Sequence, residues 1–199
     1  MNNFATKTIA IYAALAALMA ATRFDHFGSA VAVPDASLAV FFLGGLYLAR
    51  AGRAALMVFT ALILEAGLID YYATSVQGIS DWCMTPAYWF LIPTYAGLWL
   101  AGHWFASRYT RQGHSMSGLR LFQLALLAWV ACSLAFVFSN VTFYLFSERF
   151  TDMSAVEYAA RVAQYYGSYV AMALLYIFCA VALQMAFTII AKQMRADAA

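Results

Sequence analysis

Long runs without a charged side chain alternate with short polar clusters along the chain. Residues 82–107, 121–147 and 162–191 contain no Asp, Glu, Lys or Arg. A membrane-crossing helix needs about 20 mostly apolar residues, so each run predicts one. The last two are long enough to tilt or to project past the lipid. Residues 54–73 predict a fourth helix, interrupted by Glu65 and Asp70, and residues 8–22 a fifth, rich in alanine and flanked by Lys7 and Arg23. The run 38–49 is too short to cross alone; it either extends back through Pro34 and Asp35 or is a short span with an irregular entrance. Lys7, the apolar run and the small residues near position 20 imitate a signal peptide, but their spacing is a poor cleavage match, so the segment is read as a helix. The pattern predicts an all-α membrane protein with six transmembrane helices, roughly 7–24, 36–50, 53–73, 84–107, 119–146 and 160–192, in a single domain over residues 1–199.

Composition narrows the class. Hydrophobic residues make up 65% of the 199 and charged residues 10%, against about 25% charged in soluble domains. A soluble enzyme and a nucleic-acid binder are excluded, and the bilayer is the expected surrounding. The net charge of +2 is too small to call for a polyanionic partner. The placement of the charges says more. Lys7, Arg50, Arg53, Arg108, Arg111, Arg120, Lys192 and Arg195 all fall on one side of the predicted topology, facing only Asp197. The opposite loops hold Arg23, Arg149 and Arg161 with Asp25, Asp35, Asp81, Glu148, Asp152 and Glu157. The positive-inside rule places both termini in the cytoplasm and the chain in the cytoplasmic (inner) membrane as a multi-pass protein. No internal repeat is evident, so the inverted-repeat signature of many transporters is missing.

The candidate chemistry lies in the outer loops, around residues 23–28, 81–86 and 147–152. Three scattered cysteines exclude a CxxC redox pair and a four-cysteine zinc site. Cys132 and Cys179 fall inside apolar helices and read as packing thiols. Cys83 differs, being the one cysteine in an outer loop, beside Trp82 and close to Pro86. It is either a half-buried loop residue or a soft thiolate ligand or nucleophile. Charges within a span carry a functional reading by default. Asp70, near the outer end of its helix, also fits a solvated interfacial carboxylate, while the deeper Glu65 fits a protonated or paired carboxylate between helices. Five residues turn a helix by about 140°, so the two do not form a dyad. His26, His103 and His114 lack metal-ligand spacing; His26 lies outside and reads as a solvated loop residue or a ligand contact. Tyrosines 71, 72, 88, 95, 144, 158, 165, 166 and 169 concentrate toward the outer half, as an aromatic belt and as walls of a pocket that mixes rings with hydrogen bonds. Ala10/Ala14, Ala13/Ala17 and Ala16/Ala20 give small-xxx-small faces, expected to pack inside the bundle.

These features together resemble the BtuM-type cobalamin transporters, small six-helix membrane proteins similar to the substrate-binding S-components of energy-coupling-factor (ECF) transporters. The resemblance covers nearly the whole chain, and its specific element is the lone cysteine between helices 3 and 4, in Asp81-Trp82-Cys83-Met84-Thr85-Pro86. It implies an S-component-like bundle that takes up cobalamin from the outer side, with Cys83 as axial ligand of the cobalt and no free metal. It also implies that Asp70, in Leu68-Ile69-Asp70-Tyr71, and Tyr88, in Pro86-Ala87-Tyr88-Trp89, line the site. Trp82, Met84 and His26 complete the expected contacts. The alanine-rich first helix resembles the face by which S-components dock on an ECF partner, although members of this family are often solitary.

The residue chemistry is compatible with a corrinoid, which needs a wide cavity, aromatic walls and scattered hydrogen-bond partners. Cobalt(III) accepts a thiolate, and a thiol with a pKa of about 8.5 would be deprotonated by coordination. Such a thiolate could displace cobalt-bound cyanide, with Asp70 or Tyr88 handling the proton, which makes Cys83, Asp70 and Tyr88 the catalytic candidates for decyanation. Two other classes compete: a membrane thiol enzyme acting on a lipid or quinone through Cys83, and a non-catalytic subunit of a membrane complex. No Walker motif is present in the sequence, so the chain is not expected to hydrolyse ATP itself.

Overall fold

The structure is a computed structural model that describes residues 3–23, 34–109 and 117–196. It is all-helical among these residues. The helices are α1 (Asn3–Arg23), α2 (Ser37–Tyr47), α3 (Arg53–Ser75), α4 (Leu91–Tyr109), α5 (Gly118–Phe146) and α6 (Ala155–Ala196), with two 3-10 turns, Asp81–Cys83 and Pro86–Phe90, leading into α4. Four helices are long and apolar enough to cross a membrane: α1 from Ala5, α3, α5 and α6. Their exposed faces carry Leu56, Leu64, Leu68, Phe122, Leu126 and Trp129, as lipid contact requires.

The other two helices depart from the expected lengths. The eleven residues of α2 cover about 16 Å, roughly half the hydrocarbon core, and residues 34–36 before it are non-helical. The extension back through Pro34 and Asp35 is therefore corrected: the helix starts only at Ser37 and is shorter than a span. Helix α4 begins at Leu91 rather than near 84, because Pro86 starts a 3-10 turn that occupies residues 86–90. Proline favours such a first-turn position. At the other end of the chain α6 runs to 42 residues, about 63 Å, and most of its residues after Val181 are exposed.

Helix α2 is apolar on every side, and its position follows from that. Residues Ser37 to Gly45 are all buried, with α4, α1, α6 and α3 packed around them. Its closest neighbour is α4, and glycine makes the approach possible. A Cβ on Gly102 would overlap the carbonyl oxygen of Phe42, one on Gly45 the carbonyl oxygen of Trp99, and one on Gly44 the indole of Trp99. The backbones of α2 and α4 therefore touch. The alanines of α1 do not serve this purpose. Helix α1 buries Leu15, Met19, Thr22 and Arg23, whereas Ala10, Ala13, Ala14 and Ala17 are exposed. The expectation of packing inside the bundle is corrected for Ala10/Ala14 and Ala13/Ala17, which point outward, while Ala16 and Ala20 are half-buried and Ala16 packs against the core.

Gly102→Ala tests the α2–α4 contact. The methyl group improves helix propensity by up to about 1 kcal/mol, but it forces two backbones apart, and overpacking costs about 1–3 kcal/mol or more. A net loss of about 2 kcal/mol is expected, read as a lower thermal midpoint in detergent. Gly97→Ala on the same helix, where a Cβ meets open space, should leave the midpoint unchanged or raise it.

Candidate functional site

At the end of the bundle where α1 finishes, four helices are fastened by one arginine. Arg23 occupies the last turn of α1, where a cation is favoured by the helix dipole. Its guanidinium forks onto Asp70 of α3, with Nε donating to Oδ1 at 2.7 Å and Nη2 to Oδ2 at 2.6 Å. The remaining nitrogen, Nη1, donates to Ser37 Oγ at 2.8 Å, to the Tyr95 hydroxyl at 3.2 Å and to Asp35 Oδ2 at 3.4 Å. Asp35 in turn accepts from the Ser37 amide and hydroxyl at 2.9 and 2.7 Å, which fixes the first turn of α2. Thr22 accepts from the Ala36 amide at 3.1 Å. Arg23 and Asp70 are 6% and 4% exposed. An ion pair at such depth holds only when the geometry is good and the remaining polar atoms are satisfied, and this one meets both conditions.

Above the pair opens a cavity of about 580 Å³, whose lining includes Arg23, Asp35, Asp70, Cys83, Tyr88 and Asn140. That volume falls within the range of small-molecule sites. The walls mix aromatic and hydroxyl groups: Tyr88, Tyr95, Tyr165 and Tyr169 with Phe90 and Phe143, and Ser139, Thr142 and Ser168 among them. Tyr88 donates to Asp70 Oδ2 at 2.8 Å, so both carboxylate oxygens of Asp70 are engaged. Tyr95 is held flat on Phe41, with ring centroids 4.2 Å apart. The tyrosines of this end divide by place. Four line the cavity, while Tyr71 and Tyr72 are exposed and Tyr144 and Tyr158 pack on each other 4.9 Å apart.

Cys83 ends the first 3-10 turn and lines the same cavity. Its loop is shaped locally: Ser80 Oγ accepts from the Trp82 amide at 3.3 Å, and the Met84 amide closes the turn on the Asp81 carbonyl at 2.8 Å. Arg149 sits 4.8 Å over the Trp82 ring, tying this loop to the one after α5. Cys83 is an exposed residue at the rim, yet partial burial of the thiol pushes its pKa up. The charge of Asp70 adds to the rise, and Arg149 and Arg23 oppose it. The free thiol is therefore mostly protonated at neutral pH and a poor nucleophile without a metal to deprotonate it.

Cys83, Asp70 and Tyr88 thus meet at one cavity. Trp82 and Met84 are exposed and are not among its lining residues; Trp82 supports the loop instead, its ring nearly perpendicular to that of Phe150 with centroids 6.3 Å apart. His26 and His114 lie outside the described residues. Asp70 is not the solvated interfacial carboxylate that its position near a helix end allowed, because Arg23 draws it into the protein. Glu65 lies half-buried on α3 away from the cavity, with Oε2 lacking a hydrogen-bond partner among the described residues. Cys132 is buried in α5, but Cys179 is exposed on α6, which corrects its reading as a packing thiol. The sequence reading missed Arg23, Asp35 and Asn140 as cavity residues. For Arg23 a clue existed: it ends an apolar helix on the side where acids outnumber bases. No protein-family model matches the chain, and no curated protein is significantly similar to it.

Proposed function

We propose that this protein takes up a corrinoid such as cobalamin across the inner membrane, binding it at the Arg23–Asp70 cavity with the Cys83 thiolate as axial ligand of the cobalt. The observation that carries the reading is the placing of Cys83, a soft ligand, on the rim of a cavity walled by tyrosines and hydroxyl groups. Such walls suit a flat ring fringed with amides. Cobalamin is larger than the ligands that fill cavities of this size, so one face of the corrin enters and the rest remains outside. In this reading the chain forms a six-span, S-component-like bundle with both termini cytoplasmic. The outward Ala10/Ala14 and Ala13/Ala17 pairs match the face that the resemblance assigns to an ECF partner.

Ligation of the cyano form balances without a redox step. The Cys83 thiol gives its proton to the departing cyanide, sulfur donates a pair to cobalt, and hydrogen cyanide leaves while cobalt stays cobalt(III). Asp70, held by Arg23 and Tyr88, orients the site in this scheme and is not required as a base. The raised pKa of Cys83 favours this metal-driven deprotonation over the thiol-enzyme reading, which needs a thiolate in the free protein.

Colour is the test. Protein purified from cells supplied with cobalamin is expected to carry corrin absorbance in a ratio near one per chain. Colourless protein that also fails to take up cobalamin when titrated in detergent would sink the proposal.

A further inference from the structure

A second cavity, of about 280 Å³, lies at the opposite end of the bundle, between the start of α1, the end of α2 and the end of α4. Lys7 of α1 and Arg50 just after α2 both line it, with the hydroxyl residues Thr8 and Ser107. Ile11 and Leu46 form an apolar wall beside them, and no Asp or Glu is among its described lining residues. Tyr47 lines it too, and its hydroxyl is buried without a hydrogen-bond partner among the described residues. Two cations, one on α1 and one in the turn after α2, thus line a cleft that is charged at its rim and apolar on its side. This end of the bundle also carries Arg53 and Arg108.

We propose that this cleft binds a phosphate anion, as carried by the headgroup of an acidic phospholipid. Lys7 and Arg50 would neutralise the phosphate, and Ser107 would donate to one of its oxygens. The apolar wall would take the glycerol ester and the first methylenes of the acyl chains. Basic pockets between membrane helices recognise acidic headgroups in this way. The site is independent of the corrinoid reading, because no residue lines both cavities.

Native mass spectrometry of the detergent-solubilised chain tests the proposal, with phosphatidylglycerol and phosphatidylcholine added in equal amounts. One tightly held phosphatidylglycerol is expected. The double variant Lys7→Gln/Arg50→Gln should bind it about 30-fold more weakly, the weight of two cations beside an acidic lipid. Arg149→Gln/Arg161→Gln removes the same charge at the opposite end of the bundle and should change binding less than about twofold. Both cavity cations are exposed, so the variants should fold, and an unchanged thermal midpoint in phosphatidylcholine checks it. Displacement of the lipid by millimolar inorganic phosphate would make the free anion the ligand of the same site; resistance to it would make the lipid the ligand. Equal retention of both lipids, or an equal loss in the two double variants, would overturn the proposal.

Discussion

Arg23→Met is expected to cost about 3–5 kcal/mol of stability, because it leaves the carboxylate of Asp70 buried without its cation. The loss reaches further than one pair. Arg23 also donates to Ser37, Tyr95 and Asp35, so removing it loosens the entry to α2 and the contact between α1 and α4 together. Arg23→Lys should recover little, since an ammonium cannot reproduce the two parallel bonds to Asp70. Adding Asp70→Leu to Arg23→Met should restore a substantial part of the stability, because the buried charge disappears with its partner. Thermal unfolding in detergent reads all three. A loss below about 1 kcal/mol in Arg23→Met would put the pair among surface ion pairs of little weight and remove it as the fastener of the cavity floor.

How much of this was legible in the sequence depends on whether a feature follows from one residue's surroundings along the chain. Apolar runs bounded by charge gave α3, α5 and the body of α6 nearly to their ends, since hydrophobic length alone decides them. The same signal misjudged α4, where a proline-led 3-10 turn consumes the first residues of an uninterrupted apolar run. It also could not show that α2 is central, because its packing depends on Gly44, Gly45 and Gly102 meeting across two helices. Cys83, Asp70 and Tyr88 were nameable in advance from type and position. That Asp70 is paired with Arg23, 47 residues away, was not, because a helix-end arginine and a helix-end aspartate each look solvated until the two helices are placed side by side.

The pairing of Arg23 with Asp70 also bears on what Cys83 can do. With both oxygens of Asp70 occupied, Asp70 is not free to take the thiol's proton, and burial holds the thiol pKa above the usual range. Under the corrinoid proposal the metal must drive the deprotonation, so ligation should be slow at low pH and faster as pH rises toward the thiol pKa. Cys83→Ser keeps the size but presents a hard hydroxyl that hardly ionises at neutral pH. Bound cobalamin should then show the spectrum of a water- or base-ligated cobalt instead of a thiolate-ligated one, and release of cyanide from the cyano form should stop. Binding itself should persist in part, because Tyr88, Tyr165 and Asn140 still line the cavity. Cys132→Ser and Cys179→Ser serve as controls, since neither thiol lines the cavity, and both should keep the wild-type spectrum. A Cys83→Ser protein that binds cobalamin with the wild-type spectrum and still releases cyanide would end the axial-ligand assignment and leave Cys83 a rim residue of a cavity with another occupant.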